Sequence, residues 1–396
     1  MLGDGMADYP LPQLGGKTPL EAAKKPNMDM LASNGTVGMV KTVPDSMNPG
    51  SDVANLSVMG YDPRKYYTGR SPLETVSMGI KLAEGDISFR CNLVMLSDNE
   101  PYEEKIMADY CSGEISSGEA GILIEYLNEK LSSDEIKFYS GISYRHCMIW
   151  KNGENNLHLV PPHDISDRKI TEHLPKNEFI GELMRKSYDI LKDHPVNTER
   201  IKKGLKPANS IWLWGEGTPA MLDSFKDKYG VSGSVISAVD LVKGLGISAG
   251  LESIDVPGAT GNVDTNYEGK CRAALKELID KGKDFVYIHV EAPDECGHRG
   301  ELENKIKSIE LIDSEIAGPL VKALKEEGEP FSILVLPDHP TPLAVKTHVK
   351  DPVPFILYRS NEETRSGVDT YSEKTAQTTG VYIEEGYTLM DKLLKC

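Results

Sequence analysis

The sequence predicts an α/β fold in which a mostly parallel sheet is flanked by helices, and three observations support this class. Short, continuously apolar runs recur through the second half of the chain, as expected for strands that are covered on both faces. Between two of these runs, isoleucine and leucine recur every three or four residues, as on one face of a helix. The order strand, helix, strand indicates that the two strands run parallel.

The individual elements follow from these patterns. The candidate strands of the second half are the runs 210–214, 234–238, 284–290, 331–336 and 354–358. The helix between the third and fourth runs is indicated by Ile306, Ile309, Ile312, Ile316, Leu320 and Leu324. In the first half, a turn at Pro49-Gly50 precedes a predicted helix over 52–59, and strand-like runs occur at 89–96, 146–150 and 157–160.

The length of the chain predicts two domains, because 396 residues are more than one compact core usually holds. The segment 89–202 interrupts the chain before the second-half sheet and carries strand-like runs of its own. We therefore predict a core domain formed by 1–88 and 203–396, with a smaller inserted α/β cap formed by 89–202.

Composition excludes several classes of partner. The formal net charge is −17, whereas nucleic acid or an anionic membrane would require a basic face. There is neither an apolar run long enough to span a membrane nor the pattern of a signal peptide. The six cysteines are scattered without a CxxC pair, which fits a reducing compartment. We predict a cytoplasmic protein in which a site for any phosphorylated substrate would need local positive charge, and nothing in the sequence favours a dimer over a monomer.

Two motifs in the second half carry a set of metal-binding residue types. EAPDECGH at 291–298 and LPDHPTPLAVKTH at 336–348 contain Asp294, His298, Asp338, His339 and His348. Carboxylates and imidazoles together suit divalent ions, and two such ions can hold the attacking and leaving oxygens of a displacement at phosphorus. Each motif follows a predicted parallel strand, so both should meet at the carboxyl edge of the sheet.

The first sixty residues supply a candidate nucleophile. Ser51 opens the predicted helix in the run NPGSDVANLSVMGYDP, and Asp4 lies in the run Gly3-Asp4-Gly5. Taken alone, Ser51 is most simply an N-cap and Asp4 a turn residue. A helix start also offers free N–H groups and a positive dipole, which suit a serine that carries a phosphoryl group. The metal-binding residues elsewhere in the chain favour this second interpretation.

The motifs together resemble those of a known family. GDGMAD, PGSDVANLSVMGYDP, YYTGRSPLE, EAPDECGH, LPDHPTP and the late KTH are similar, in order and over almost the whole chain, to the archaeal type of cofactor-independent phosphoglycerate mutase. This family belongs to the alkaline phosphatase superfamily. The resemblance implies an alkaline-phosphatase-like core, a cap that closes over the glycerate, and interconversion of 3-phosphoglycerate and 2-phosphoglycerate without 2,3-bisphosphoglycerate.

The resemblance also implies a role for each site residue. Ser51 would accept the phosphoryl group and return it to the other hydroxyl of the same glycerate. Two divalent ions, commonly manganese, would be held by Asp4, Ser51, Asp338 and His339 on one side and by Asp294, His298 and His348 on the other. The same ligands also accept zinc, cobalt or nickel.

Further residues are candidates for substrate contacts, because arginine pairs well with carboxylate and phosphate oxygens. They are Asn55, Arg70, Arg90, His163, Asp164 and Arg200. For Arg90 and Arg200 an ion-pair role is the alternative, and for His163 it is a structural role. His289 lies inside the apolar run YIHV, which predicts a packing role.

The chain departs from the family pattern in two places. Only Met1 and Leu2 precede Gly3, where the family has a full apolar strand, so we expect about five further apolar residues upstream of Met1. In the stretch ADYCSGEISSGEA, Tyr110, Cys111 and Glu114 stand where the family commonly carries arginines.

The loss of cap arginines leaves three hypotheses for function. The mutase is favoured, since the serine and the metal ligands are all present and no nucleotide-binding motif occurs. A homoserine kinase, proposed for a bacterial branch of the same family, would tolerate a less cationic cap and would consume ATP. A non-catalytic metal-binding protein is the third alternative.

Overall fold

The computed structural model describes residues 1–394, and its strands and helices alternate along much of the chain. The strands are β1 (Leu2–Gly3), β2 (Thr36–Val40), β3 (Ile87–Leu96), β4 (Met107–Asp109), β5 (Ile136–Tyr139), β6 (Arg145–Trp150), β7 (Ser210–Gly217), β8 (Gly233–Ile236), β9 (Glu252–Ile254), β10 (Phe285–Val290), β11 (Ser332–Val335), β12 (Val353–Arg359) and β13 (Tyr382–Ile383).

The helices lie mainly between strands. They are α1 (Pro19–Ala22), α2 (Pro26–Ser33), α3 (Ser51–Val58), α4 (Pro63–Tyr66), α5 (Ser71–Ser77), α6 (Ser117–Leu131), α7 (Glu178–Leu191), α8 (Pro195–Lys202), α9 (Phe225–Tyr229), α10 (Asp240–Ser248), α11 (Tyr267–Leu275), α12 (Ala292–Arg299), α13 (Leu302–Leu311), α14 (Gly318–Glu327), α15 (Glu373–Thr378) and α16 (Leu389–Leu394). Among residues 1–394, every helix is too short or too polar to cross a membrane.

The chain forms two compact units, one made of 1–67 and 221–396 and the other of 68–220. The first unit contains a parallel sheet in the order β1-β10-β8-β9 and a second sheet in the order β11-β12-β2-β13. Leu2 bridges to Leu336 in parallel and thereby links the two sheets. The predicted α/β class with a parallel sheet flanked by helices is confirmed.

The predicted helix between the third and fourth strand runs is also present. It comprises α13 and α14, joined by a π-helical turn at Ile312–Ala317. The apolar face that was read from the sequence is the face that packs, since Ile309, Ile312 and Ile316 are buried in the core of the first unit. This burial is the main source of stability for an amphipathic helix.

Two predicted strands of the second-half sheet are arranged differently from the expectation. The run 354–358 is part of β12, which pairs antiparallel with both β11 and β2. The run 210–214 begins β7, which belongs to the second unit and pairs antiparallel with β3. Both runs are continuously apolar, so local pattern could identify them as strands but could not assign their partners.

The second unit is built on a sheet in the order β4-β3-β6-β5, with β7 added on β3. Its core contains Phe89, Met184, Trp212 and Leu213 among other apolar side chains. The predicted cap segment 89–202 lies within this unit. The unit itself extends to 68 and 220, because β7 pairs along β3 and α5 packs against it.

The described cysteines are free thiols. They are Cys91, Cys111, Cys147, Cys271 and Cys296. Cys396 lies outside the described residues.

A groove of about 740 Å³ opens beside the short strand β1. It is lined on one side by Phe285 to Ile288 of β10 and on the other by Ser332 to Leu334 of β11. The amino group of Met1 lies at its end and donates a hydrogen bond to the carbonyl of Leu334 at 2.8 Å. Burial lowers the pKa of this amino group to about 5. The upstream segment expected from the sequence stays a prediction, but the groove itself can be tested with an added strand.

We expect four apolar, β-branched residues added before Met1 to raise the melting temperature. They would continue the parallel register that pairs Leu2 with His289 and would fill the groove. Burial of each apolar side chain contributes about 1.5–3 kcal/mol, which offsets the cost of ordering the added residues. Each kcal/mol of net gain corresponds to a rise of about 2–4 °C in thermal unfolding. A Gly-Ser extension of equal length is the control, and an equal Tm for both extensions would contradict the prediction.

Candidate metal centre and nucleophile

The candidate site lies at the carboxyl end of the parallel sheet in the first unit. Asp4 follows β1 directly, and Asp294 lies in the first turn of α12, which follows β10. Asp338 and His339 follow β11, whose end lies beside β1 through the bridge between Leu2 and Leu336. Parallel strands place their carboxyl ends at one edge, which is why residues hundreds of positions apart meet here.

One group of ligands is formed by Asp4, Asp338 and His339, all of them buried. The Nε2 atom of His339 lies 3.6 Å from Oδ1 of Asp4 and 3.4 Å from Oδ2 of Asp338. The hydroxyl of Ser51 lies 3.2 Å from the same Nε2 atom. The candidate nucleophile is therefore in direct contact with this group.

The second group is formed by Asp294, His298 and His348. Oδ2 of Asp294 lies 3.2 Å from Nε2 of His298, and its Oδ1 lies 3.4 Å from Nε2 of His348. The rings of His339 and His348 have centroids 4.0 Å apart, so the two groups adjoin. The structure thus brings all seven predicted ligand residues into one centre.

The donor set fits divalent cations on electrostatic grounds. Oδ1 of Asp4 is buried and has no hydrogen-bond partner among residues 1–394. Burial, followed by the charges of Asp338 and Asp294, raises the pKa of Asp4 well above its ordinary value. Unpaired carboxylates packed together inside a protein are costly, and a bound cation would remove this cost. Asp4, Ser51, Asp338 and His339 would hold one ion, and Asp294, His298 and His348 the other.

Hydrogen bonds from histidine control the charge of Asp294. Burial alone would raise its pKa, but hydrogen bonds from His298 and His348 outweigh burial and hold the pKa well below the ordinary range. The hydrogen bond between His298 and Asp294 also raises the pKa of His298, to about 9. Asp294 is therefore ionised at neutral pH and available as a ligand.

The backbone at Gly5, directly after Asp4, has no room for a side chain. Its φ angle is +57°, and a Cβ atom there would lie 2.5 Å from the hydroxyl of Thr341 and 2.6 Å from Oδ1 of Asp294. The backbone N–H of Gly5 donates to Oδ1 of Asp338 at 3.1 Å. Only glycine allows the chain to turn this closely around the carboxylates.

Ser51 is the first residue of α3, and the N-cap position is taken by Gly50. The side chain of Ser51 points to His339 instead of capping the helix. The N-cap interpretation of Ser51 is therefore wrong. The start of α3 still presents backbone N–H groups and a positive dipole end, which would stabilise an anion beside the hydroxyl.

Asn55 was predicted to contact substrate, but the structure places it in the interior. It is fully buried, and its Nδ2 donates to Oδ2 of Asp338 at 2.8 Å and to the carbonyl of Ser51 at 2.9 Å. Its Oδ1 accepts a hydrogen bond from the hydroxyl of Tyr287 at 2.8 Å. Every polar atom of the amide is engaged within the protein.

Within the second unit, three of the predicted substrate residues are brought together. Arg70 and Arg90 each contact the carboxylate of Glu74 at 2.8 Å. The guanidinium of Arg90 lies 4.2 Å from the ring centroid of Trp214, and the ring of His163 lies 5.3 Å from the same ring. The neighbouring carboxylate of Asp164 is 3.6 Å from His163. We call Arg70, Arg90 and His163 the cationic cluster after its two guanidinium groups, since burial lowers the pKa of His163.

Arg200 lies apart from the cationic cluster. Its side chain is 4% exposed and pairs with Glu119 at 2.7 Å, while the other guanidinium nitrogens donate to the carbonyls of Lys206 and Ser112. This arrangement is that of a structural ion pair, which was the alternative considered for this residue.

Sequence reasoning missed the role of His289. Its Nε2 lies 2.8 Å from Oδ2 of Asp4, and its Nδ1 lies 3.1 Å from the hydroxyl of Ser237. His289 is fully buried and fixes the carboxylate of Asp4, so the predicted packing role was incomplete. Its position in the strand immediately before the EAPD motif was the available signal.

Comparisons with known proteins agree on one family. The family model described as 2,3-bisphosphoglycerate-independent phosphoglycerate mutase matches residues 32–197. A probable 2,3-bisphosphoglycerate-independent phosphoglycerate mutase of Geobacter sulfurreducens is 50% identical, over 100% of this chain and 98% of that one. The enzyme of that name from Methanosarcina barkeri is 49% identical, over 100% of this chain and 98% of that one.

Two solved structures have the same fold. A protein from Pyrococcus horikoshii has a TM-score of 0.81 at 28% identity, covering 99% of this chain and 94% of that one. The cofactor-independent phosphoglycerate mutase of Thermoplasma acidophilum has a TM-score of 0.66 at 26% identity, covering 100% of this chain and 97% of that one.

Proposed function

Since the chain belongs to the 2,3-bisphosphoglycerate-independent phosphoglycerate mutases, we propose that it interconverts 3-phosphoglycerate and 2-phosphoglycerate by way of a phosphoserine at Ser51. The observation that supports this most directly is the contact of the Ser51 hydroxyl with His339, at 3.2 Å, at the start of α3. A candidate nucleophile, backbone N–H groups at a helix start and two groups of candidate metal ligands occur together.

The proposed reaction has two transfers. In the first, the oxygen of Ser51 forms a bond to phosphorus as the bond from phosphorus to the glycerate oxygen breaks, and the freed glycerate oxygen takes up the proton that Ser51 loses. In the second, the other glycerate hydroxyl attacks the phosphoserine and Ser51 recovers its proton. Phosphate and protons therefore balance without a second substrate.

The protein residues prepare Ser51 for this role. His339 contacts the hydroxyl, and the helix start stabilises the phosphoryl oxygens that arrive there. When bound, divalent ions would lower the pKa of the hydroxyl and neutralise phosphoryl charge. We propose manganese for these ions, with zinc, cobalt or nickel as alternatives for the same ligands.

We further propose that the cationic cluster binds the anionic groups of the substrate. Its two guanidinium groups share the single carboxylate of Glu74, and they supply local cations in a protein whose net charge is −17. Burial lowers the pKa of Arg90 only to about 10, so the group stays charged at neutral pH. The lid role of the segment 89–202 and a cytoplasmic location stay predictions.

Arg90 and Arg200 form a matched pair for testing this assignment. Arg90→Met should raise KM about 10–100-fold, because a charged hydrogen bond to an anion contributes about 1.5–3 kcal/mol. Arg200→Met should leave KM within about twofold while lowering the Tm, because its partners are all internal. Steady-state kinetics and thermal unfolding of both variants check this, and an unchanged KM in the Arg90 variant would exclude the contact.

The test of the proposed function compares two reactions in the metal-free protein and after addition of each candidate ion. One assay follows 2-phosphoglycerate formed from 3-phosphoglycerate, and the other follows ATP consumed in the presence of homoserine. We expect the first reaction only, and only with added metal. ATP consumption that requires homoserine would support the kinase instead. Metal binding without either reaction would support the non-catalytic alternative.

A further inference from the structure

The side chain of Asn55 connects two parts of the metal centre. Asn55 is one helical turn beyond Ser51 in α3, and its Nδ2 reaches both the carbonyl of Ser51 and the carboxylate of Asp338. A backbone carbonyl only accepts hydrogen bonds, so the NH2 group must face the carbonyl of Ser51. The orientation of the amide is thereby fixed, with Oδ1 directed at Tyr287.

Tyr287 holds Asn55 from the strand side. Its hydroxyl donates to Oδ1 of Asn55 at 2.8 Å, and its side chain is buried in the middle of β10. Burial, with the nearby charges of Asp338 and Asp4, raises the pKa of Tyr287 well above its ordinary value. The hydroxyl therefore remains a hydrogen-bond donor at any physiological pH.

Two residues of β10 position the carboxylates of Asp4 and Asp338. Tyr287 and His289 are two residues apart on β10 and share a face, because side chains of a strand alternate. His289 holds Asp4 directly, while Tyr287 reaches Asp338 through Asn55. Without the Tyr287 hydroxyl, Oδ1 of Asn55 would be a buried acceptor with no donor, which costs about 1–3 kcal/mol.

We propose that Tyr287 is a positioning residue that acts through Asn55 to fix the Asp338 carboxylate relative to the Ser51 hydroxyl. The inference rests on the proposed function of Ser51 and extends it to a residue that does not touch the reacting atoms. A displacement of about 1 Å at a reacting centre can cost about 100-fold in rate. The Tyr287 hydroxyl, which reaches Asp338 only through Asn55, can therefore have a large effect on kcat.

The test uses Tyr287→Phe with Tyr371→Phe as its matched control. Tyr371 is also fully buried and also donates one hydrogen bond, to the carbonyl of Pro354 at 2.8 Å, but it does not contact any ligand residue. We expect similar decreases in Tm for the two variants. Only Tyr287→Phe should lower kcat, by about 10–100-fold, with KM within about threefold.

A second readout does not depend on turnover. Titration of metal-free protein with Mn²⁺ should show weaker binding of one ion in Tyr287→Phe, by about 10-fold or more, and unchanged binding of the other. Tyr371→Phe should bind both ions as the unmodified protein does. If the unmodified protein lacks mutase activity, the proposed function fails, whereas the metal titration still decides whether Tyr287 positions the ligand group.

A double-mutant cycle tests whether the effect passes through Asn55. If it does, Asn55→Ala and the double variant Asn55→Ala/Tyr287→Phe should have the same kcat and the same Mn²⁺ affinity. Additive losses in the double variant would overturn the proposal, as would a Tyr287→Phe variant whose kcat and Mn²⁺ affinity match those of Tyr371→Phe.

Discussion

Ser51→Ala should reduce kcat for phosphoglycerate interconversion by at least about 10⁴-fold, because removal of a catalytic nucleophile leaves only binding and electrostatic contributions. The other ligands of the centre remain, so the variant should still fold and bind metal. In the unmodified protein, acid quenching during turnover should yield a phosphorylated peptide that contains Ser51, and the variant should yield none.

Ser57→Ala is the control for this variant. Ser57 lies in the same helix, and its side chain is buried, whereas that of Ser51 is half-buried. It makes no contact with the ligand residues, and its loss should leave kcat within about twofold. A Ser51→Ala variant that keeps more than about 1% of the original kcat would exclude Ser51 as the nucleophile.

Lys305→Met should produce the largest loss of stability. The side chain is completely buried, and its Nζ lies 2.7 Å from Oδ2 of Asp8 and 2.7 Å from the carbonyl of Thr341. Its removal leaves the carboxylate of Asp8 buried without its cation, which typically costs about 3–5 kcal/mol. We expect the Tm to fall by about 10 °C or more.

Two comparisons make the Lys305 result interpretable. Lys322→Met removes a lysine whose side chain is 78% exposed and should change the Tm by less than about 1 °C. Combining Lys305→Met with Asp8→Asn should recover part of the loss, because no buried charge is then left alone. A fall of less than about 2 °C in the single variant would show that the pair is not needed for folding.

The buried pair also matters for the site. Lys305 donates hydrogen bonds to Asp8, which lies four residues after Asp4, and to the carbonyl of Thr341. The hydroxyl of Thr341 in turn donates to Asp294 and lies 3.3 Å from Nδ1 of His339. Loss of Lys305 should therefore loosen ligands on both sides of the centre.

The sequence by itself determined which residue types the centre contains and where along the chain they occur. Local periodicity predicts strands and helices. In a parallel sheet, the residues that follow the strands lie together at the carboxyl edge. Asp294 and Asp338 could therefore be selected together from the sequence, whereas Asp4 was added by the resemblance to the family. A local signal also placed Ser51 at a helix start, but its interpretation as the nucleophile needed the metal-binding residues elsewhere and the family resemblance.

The tertiary structure alone decided the partners of those residues. The roles of His289 and Tyr287 depend on the register of β10 against β1 and α3, and a shift of one residue would turn both side chains to the other face. Tertiary contacts also decided the antiparallel pairing of β12, the assignment of β7 to the second unit, and the internal position of Asn55. These features arise from contacts between segments far apart in the chain, and no local pattern encodes which distant segment will be the neighbour.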